Sequence, residues 1–251
     1  MAITNQKGGV GKTTTSVNLS ASLAATKRKA LLIDLDPQGN ATMGSGIDKK
    51  DLSVSIYDVL MGEKSIEEAT LSLENTQYDL LPSNSDLTGA EVGLLNITNR
   101  EIQLRKEVEK IRDKYAYIII DCPPSLNMLT VNALVAADSV VIPTQCEYYA
   151  LEGLSALLET IEKIKSVLNP KLNVEGLLRT MFDSRNNLAN EVSKQLTDYF
   201  GDKVYNTIIP RNVRLAEAPS YGQPIILYDK TSTGAIAYLA LAGELMRKEV
   251  Q

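Results

Sequence analysis

The sequence predicts an α/β fold in which a doubly wound, mostly parallel sheet carries helices on both faces. Three observations lead to this prediction. Strand-like segments alternate with helix-like segments, most strand-like segments are unbroken apolar runs, and a glycine-rich turn joins the first strand to the first helix. Strands covered by helices on both faces have this apolar character. The alternation implies right-handed crossover connections between parallel strands.

We predict strands over Ala2–Asn5, Ala30–Leu35, Asp79–Pro82, Tyr117–Asp121, Ser139–Pro143, Leu172–Thr180 and Val204–Ile209. Helical periodicity predicts helices over Thr13–Thr26, Ile102–Tyr115, Leu126–Ala136, Leu151–Val167, Leu188–Phe200 and Thr233–Glu249. Because no repeat, low-complexity tract or linker divides the sequence, we expect a single domain over residues 1–251. Ligands of such sheets bind beyond the carboxyl ends of the strands.

The composition excludes several kinds of chemistry. The chain of 251 residues contains no histidine, which excludes imidazole catalysis and histidine-ligated zinc. Its two cysteines, Cys122 and Cys146, are too few for a disulfide framework and indicate a reducing compartment. The net charge of −5 argues against wholesale nucleic-acid binding but allows a local basic patch.

The hydropathy pattern contains no apolar run of the roughly eighteen residues that a membrane span needs, and no basic-then-apolar leader precedes the first strand. We therefore expect a cytoplasmic protein without a membrane partner.

A glycine-rich stretch follows the first predicted strand and reads Gln6-Lys7-Gly8-Gly9-Val10-Gly11-Lys12-Thr13-Thr14. A strand before such a turn and a helix after it form the context of a P-loop. Glycines let backbone amides converge on phosphate oxygens, and the helix N-terminus adds partial positive charge. We expect contacts to the nucleotide, ATP or ADP, along the whole stretch from Lys7 to Thr14. Lys12 would pair with the outer phosphates, and the hydroxyl of Thr13 would reach Mg²⁺.

Carboxylates end two of the predicted strands. The run Ile118-Ile119-Ile120-Asp121 is an apolar strand ending in aspartate, and we expect Asp121 to serve the metal through water. The run Leu31-Leu32-Ile33-Asp34-Leu35-Asp36 ends another buried strand in two carboxylates. Asp34 could be structural or could order the outer shell of the metal.

One departure from the usual phosphate-loop pattern is informative. Gln6 stands where that pattern has glycine, and an additional lysine, Lys7, follows it. This variant resembles the deviant Walker A family, which includes the ParA, MinD and nitrogenase iron proteins. The resemblance implies that Lys7 crosses a dimer interface to the nucleotide of the partner. It also implies that Asp36 positions the hydrolytic water and, with Thr13 and Asp121, belongs to the metal site.

Longer stretches resemble ParA proteins of the chromosomal, Soj type, between Asn5 and about Gly243. They are Asp34-Leu35-Asp36-Pro37-Gln38-Gly39-Asn40-Ala41-Thr42, Asp121-Cys122-Pro123-Pro124-Ser125-Leu126, Gln145-Cys146-Glu147-Tyr148-Tyr149-Ala150-Leu151-Glu152-Gly153 and Ile209-Pro210-Arg211-Asn212-Val213-Arg214-Leu215-Ala216-Glu217-Ala218-Pro219-Ser220. Tyr221 and Gln223 depart from the family, which often has His and Lys there. Because the sequence begins close to the phosphate loop, we expect no operator recognition through an N-terminal helix-turn-helix.

The resemblance implies a weak Mg²⁺-dependent ATPase that forms an ATP-sandwich homodimer. Such a dimer binds DNA non-specifically, associates with the nucleoid and works with a ParB-type partner in chromosome or plasmid segregation. Arg185 and Arg214 match family positions implicated in DNA contact, with Lys203 and Arg211 as possible neighbours. Pro210 and Asn212 would help to hold the adenine base, although both residue types are also common in turns.

Three alternatives stay open. The chain could be a MinD-like positioning switch that acts through protein or membrane partners without binding DNA. Its tail, Tyr238–Glu249, has an apolar stripe but few basic residues, which favours packing of a last helix in the core. The two cysteines could bridge a cluster between subunits, but their surroundings are not glycine-rich and disfavour this. Finally, Lys7 could act only within its own subunit.

Overall fold

A seven-stranded sheet forms the centre of the computed structural model, which describes residues 1–248. Its strands, in chain order, are β1 (Ala2–Ile3), β2 (Ala30–Asp34), β3 (Leu71–Leu73), β4 (Tyr78–Leu81), β5 (Tyr117–Asp121), β6 (Ser139–Gln145) and β7 (Asn173–Thr180). Across the sheet the order is β3-β4-β2-β5-β1-β6-β7. All neighbours pair in parallel except β3, which is antiparallel to β4. The predicted fold class is confirmed.

Helices follow most strands. They are α1 (Lys12–Ala25), α2 (Asn40–Gly44), α3 (Ile56–Met61), α4 (Ile66–Ala69), α5 (Leu87–Gly93), α6 (Gln103–Ile111), α7 (Met128–Ala136), α8 (Ala150–Val167), α9 (Asn187–Phe200), α10 (Val213–Glu217), α11 (Ile225–Tyr228) and α12 (Thr233–Lys248). The six predicted helices correspond to α1, α6, α7, α8, α9 and α12. The others have four to seven residues, which is too short for a helical period to emerge from the sequence.

Two apolar layers cover the two faces of the sheet. Successive side chains of a strand point to opposite faces, and in β2 Leu31 and Ile33 join one layer while Ala30 and Leu32 join the other. The first layer holds α3 and α5 to α9, and the second holds α1 and α12. Burial on both faces explains why the strands read as unbroken apolar runs.

Two parts of the strand prediction are wrong. Residues 204–209 do not form a strand, although Val204 makes an isolated parallel bridge with Leu177 of β7. The amides of Asn206 and Thr207 instead donate to the carboxylate of Glu244, at 2.7 and 2.8 Å, so these groups are withdrawn from sheet pairing. The short edge strand β3 was not predicted, since it has only three residues and none is fully buried.

The last helix packs inside the molecule. Within α12, Tyr238, Leu241 and Leu245 are buried in the layer that contains α1, which confirms the prediction of core packing for Thr233–Lys248. Glu249, the predicted end of this helix, lies outside the described residues. Among residues 1–248, no helix combines the length and the apolar character that crossing a bilayer requires.

Truncation of α12 in its buried stripe tests this packing. Leu241 is 1% exposed, so we expect Leu241→Ala to lower the free energy of unfolding by about 2–5 kcal/mol. Ile236 lies on the same helix but is 58% exposed, and Ile236→Ala should change stability by less than about 0.5 kcal/mol. Urea denaturation followed by circular dichroism measures both. Equal effects of the two substitutions would contradict the assignment of α12 to the core.

Candidate functional site

The glycine-rich loop between β1 and α1 leads directly into the first turn of α1. Gly9 and Gly11 have φ values of 75° and 85°, a conformation that strongly favours glycine. Helix α1 begins directly after Gly11, without a side-chain cap and without an acidic residue in its first turn. The first amides of a helix need partners from elsewhere. An anion placed at this end of α1 would supply them.

Neighbouring strands hold the loop in shape. The hydroxyl of Thr180, at the end of β7, donates to the carbonyl of Val10 at 2.8 Å. Asn5 accepts from the amide of Lys7 at 3.0 Å and donates to the carbonyl of Pro143 at 2.8 Å. Lys12 folds back and donates to the carbonyl of Lys7 at 3.1 Å. These four contacts hold the glycine-rich loop in one conformation.

Asp34 and Asp121 lie side by side, because β2 and β5 pair in parallel with these two residues in register. Both are fully buried. Asp34 accepts from the amide and the hydroxyl of Thr42, at 2.8 and 2.7 Å, and from the amide of Asp36 at 3.2 Å. Asp34 thus anchors the segment that follows β2, which favours the structural one of its two predicted roles.

Hydrogen bonds satisfy the carboxylate of Asp121 only in part. One carboxylate oxygen accepts from Ser16 at 2.8 Å, while Oδ2 is buried without a hydrogen-bond partner among the described residues. Burial and the neighbouring charge of Asp34 raise the pKa of Asp121, and the side chains of Ser16 and Thr13 partly oppose this rise. A buried carboxylate oxygen without a partner, next to a second carboxylate and a threonine hydroxyl, fits a divalent cation such as Mg²⁺.

Burial also affects the ammonium group of Lys12. The residue is 7% exposed, and burial lowers its pKa, while the charges of Asp121 and Asp36 oppose this effect. Its cationic head therefore lies within the electrostatic influence of both carboxylates, at the start of α1. A ligand with several negative charges would satisfy it better than this arrangement does.

Asp36 begins a tightly folded segment at the entrance of the site. Its Oδ1 accepts from the amide of Gln38 at 2.9 Å, and its carbonyl accepts from the hydroxyl of Ser83 at 2.8 Å. Gly39 has a φ of 61°, and a β-carbon there would lie 2.8 Å from the carbonyl oxygen of Ser83. The position of Asp36 thus depends on close backbone packing against the residues after β4.

A cleft of about 530 Å³ extends from the glycine-rich loop across the sheet edge. It is lined by predicted residues, namely Gly8, Gly9, Gly11, Lys12, Thr13, Thr14, Asp36, Pro210 and Asn212. It is also lined by residues that were not predicted as site residues, namely Gln38, Asn40, Pro124, Thr180, Met181, Ile209, Arg211, Leu215, Ala216 and Tyr238. Thr180 and Met181 end a predicted strand, and this position at the carboxyl edge of the sheet was the signal that could have found them.

The cleft is also lined by the apolar side chains of Met181, Ile209 and Leu215. Asn212 lines it, but its Oδ1 accepts from the amide of Leu215 at 3.0 Å and its Nδ2 donates to Thr233 at 2.8 Å. The side chain of Asn212 therefore caps α10, as a turn residue would. One hydrogen of Nδ2 and one lone pair of Oδ1 of Asn212 are therefore already engaged within the chain.

Three predicted site residues, Lys7, Val10 and Asp121, are outside the cleft lining. Val10 is buried beneath the loop. The ammonium of Lys7 pairs with the carboxylate of Glu147, just before α8, and both side chains are about half exposed. The structure thus directs Lys7 away from the cleft of its own chain.

The predicted DNA-contact residues form a second region. Parallel bridging of Phe182 to Pro210 brings the loop after β7 beside the segment that leads into α10. Arg185 forms a two-pronged ion pair with Asp183, at 2.9 and 2.8 Å. Arg214 pairs with Glu217 at 2.9 Å and lies 3.7 Å from Asp229. Each arginine therefore has a carboxylate partner within its own chain.

The two possible neighbours differ. Arg211 is exposed and lies close enough to Asp183 to contribute to lowering the pKa of that carboxyl. Lys203 instead donates to the carbonyl of Val174 at 2.9 Å, beside the beginning of β7. Arg211 thus lies near the loop of Arg185, which follows the end of β7, whereas Lys203 lies beside the beginning of β7.

Comparison with known proteins gives consistent matches. A family model described as an AAA domain matches residues 1–174. The chain is 54% identical over 249 residues to the chromosome partitioning protein ParA of Myxococcus xanthus, covering 99% of this chain and 88% of the relative. It is also 54% identical over 245 residues to the sporulation initiation inhibitor protein Soj of Bacillus subtilis, covering 98% of this chain and 97% of the relative.

A solved structure is similar in fold. Cobyrinic acid a,c-diamide synthase from Mycobacterium smegmatis, with bound ADP and magnesium, superposes with a TM-score of 0.87 at 38% identity. The match covers 100% of this chain and 94% of that protein.

Removal of one anchor of the loop tests whether its shape serves ligand binding. Thr180→Val leaves the carbonyl of Val10 without its partner, so we expect ADP affinity, measured by calorimetry, to fall by about twofold to tenfold. Thr160→Val is the matched control, because the hydroxyl of Thr160 bonds only to the carbonyl of Ala156 within α8. If Thr180→Val binds ADP as tightly as the unaltered protein does, this anchor is dispensable for binding.

Proposed function

Since the chain belongs to the ParA/Soj family of partitioning ATPases, we propose that ATP binding switches it between a monomer and a DNA-binding dimer. ATP or ADP with Mg²⁺ occupies the cleft, and hydrolysis to ADP and phosphate is slow. The ATP-bound dimer binds DNA without sequence preference on the nucleoid. A ParB-type protein is its partner in chromosome or plasmid segregation.

One observation carries the proposal, namely that one cleft brings together the uncapped start of α1, Lys12, Asp36 and apolar side chains such as Ile209 and Leu215. The phosphates lie against residues 8–14, with Lys12 at the outer phosphates. The base lies beside Pro210 and Asn212, which line the same cleft. Thr13, together with Asp36 and Asp121, would hold Mg²⁺. This ion, when bound, neutralises phosphate charge.

Hydrolysis requires a positioned water. The water attacks the terminal phosphorus, the bond between that phosphorus and the bridging oxygen breaks, and ADP and inorganic phosphate leave. Asp36 lines the cleft, and its Oδ1 is engaged by the amide of Gln38. Its Oδ2 orients the water, while the packing of Gly39 against Ser83 keeps the carboxylate in place. Asp36 is therefore required for hydrolysis and dispensable for binding.

Lys7 closes the site of the partner. Its ammonium is outside the cleft of its own chain and is held by Glu147 through a half-exposed ion pair. Such pairs contribute at most about 1 kcal/mol, so the phosphates of a nucleotide in the partner compete for the ammonium. Action of Lys7 within its own subunit is the alternative, and it requires the side chain to turn back towards the cleft.

The DNA face contains Arg185 and Arg214. Phosphate oxygens of DNA replace Asp183 and Glu217 as the partners of these arginines. The dimer doubles the number of arginines along one duplex, so a chain with a net charge of −5 still binds a polyanion through one face. Phe182 and Pro210 link the loop of Arg185 to the segment that leads from the base end of the cleft to α10.

Two other functions are less well supported. A MinD-like switch that acts on protein or membrane partners shares this fold, but the packing of α12 in the core leaves no amphipathic tail helix among residues 233–248. The relative from M. smegmatis has the name of a diamide synthase, but its identity of 38% is below the 54% of the two partitioning relatives.

Nucleotide-dependent binding of DNA decides between these functions. We expect the unaltered protein to retain a random duplex only with ATP, and retention to weaken steeply with salt. Asp36→Ala should still retain the duplex but should not hydrolyse ATP. Lys7→Ala and Arg185→Ala/Arg214→Ala should not retain it. A filter-binding series over salt concentrations measures it. Arg105→Ala/Arg112→Ala is the matched control, because these arginines are also exposed and paired. Strong retention without nucleotide would exclude the proposed switch.

The carboxylates that hold the two arginines should weaken DNA binding. We expect Asp183→Asn and Glu217→Gln to increase affinity for duplex in the presence of ATP, because each removes a competing negative charge next to Arg185 or Arg214. Asp198→Asn removes the same charge from an exposed pair with Lys194 on α9 and should have no such effect. Equal affinities of all three variants would contradict the assignment of the DNA face.

A further inference from the structure

Two glycines bring distant backbone segments into contact. Gly46 follows α2, and Gly222 follows the short 3₁₀ turn Ala218–Tyr221. Their φ values are 89° and 61°. A β-carbon on Gly222 would lie 2.7 Å from the Cα of Gly46, and one on Gly46 would lie 2.9 Å from the carbonyl oxygen of Gly222. A side chain at either position would force the two segments apart.

On one side of this contact lies the segment that begins at Asp36. The amide of Met43 donates to the carbonyl of Gly39 at 3.0 Å, and the amide of Gly46 donates to the carbonyl of Met43 at 3.0 Å. Thr42, between them, is held by Asp34. Residues 36–46 thus form one hydrogen-bonded unit that connects Asp36 at the cleft to Gly46.

On the other side a chain of contacts leads to Arg214. The ring of Tyr221, adjacent to Gly222, stacks on Tyr228 with 5.0 Å between the centroids. The hydroxyl of Tyr228 donates to Glu217 at 3.2 Å. The same oxygen of Glu217 accepts from Arg214 at 2.9 Å. The ion pair that restrains Arg214 is therefore built on the segment that touches Gly46.

We propose that Gly46 and Gly222 are positioning residues that couple the nucleotide cleft to Arg214. Nucleotide binding shifts the segment of Asp36, and Gly46 passes this shift to Gly222. The Tyr221–Tyr228 pair then moves Glu217 relative to Arg214, which alters the availability of the arginine. This coupling rests on the proposed function for its DNA readout. The physical basis is the direct backbone contact between these two hydrogen-bonded segments. The segment of Asp36 does not have to touch DNA, and the segment of Arg214 does not have to touch the nucleotide.

Gly222→Ala separates the two segments, and its effect on coupling is measurable. The dissociation constant for duplex is measured without and with a non-hydrolysable ATP analogue, and we expect the ratio of the first to the second to fall by about tenfold. Affinity for the analogue itself should stay within about twofold, since Gly222 lies outside the cleft lining. Gly62→Ala is the matched control. Gly62 has a φ of 76°, but a β-carbon there meets nothing within 4 Å, so it introduces the backbone strain without the clash.

Hydrogen exchange provides a readout without DNA. Addition of the analogue to the unaltered protein and to Gly62→Ala should change amide protection over residues 213–222, and Gly222→Ala should lose this response. An unchanged response or an unchanged affinity ratio in Gly222→Ala would overturn the coupling. If the unaltered protein shows the exchange response but does not bind DNA, the coupling between the segments stands and the DNA part of the proposed function fails.

A second variant decides the matter if Gly222→Ala does not fold. Tyr228→Phe retains the stacked ring and removes only the hydroxyl that donates to Glu217. We expect the same affinity ratio to fall, by about twofold to tenfold. Tyr199→Phe is the control, because Tyr199 is 80% exposed on α9. A ratio for Tyr228→Phe equal to that of the control would overturn the route through Glu217.

Discussion

Parallel pairing of β2 with β5 imposes the central constraint on this protein, because it places Asp34 and Asp121 side by side, with both side chains fully buried. Two buried carboxylates are costly unless each gains partners. Asp34 gains them from Thr42 and Asp36, and in doing so it folds the segment that carries Asp36 against the sheet. Asp121 gains Ser16 and the nearby charge of Lys12, but one oxygen stays without a partner. This shortage fits a cation next to Asp121.

The sequence was sufficient for the parts of the site that are local. The loop from Gly8 to Thr14 has a strand before it and a helix after it. Its geometry depends on residues that are consecutive in the sequence. Asp36 and Asp121 were also predicted, because aspartates directly after apolar runs must lie at the carboxyl edge of a parallel sheet. The family resemblance is confirmed by the relatives, whereas the individual roles of these residues stay predictions.

Parts of the site that depend on distant residues were not predictable. Tyr238 reaches the cleft from α12, and Glu147 reaches Lys7 across 140 positions of sequence. The prediction of a strand over Val204–Ile209 is wrong because Glu244, on the last helix, withdraws two of its amides. The contact of Gly46 with Gly222 likewise has no signature in either segment, since glycine also suits any turn. In each case the missing information is which two segments the folded chain brings together.

In the proposed function nucleotide controls association through Lys7, and sedimentation velocity measures this association. With a non-hydrolysable ATP analogue the unaltered protein should sediment as a dimer, and with ADP as a monomer. Lys7→Ala should bind the analogue and stay a monomer, whereas the control Lys50→Ala, at an exposed position away from the cleft lining, should dimerise. Dimerisation of Lys7→Ala to the same extent as the unaltered protein would contradict the account.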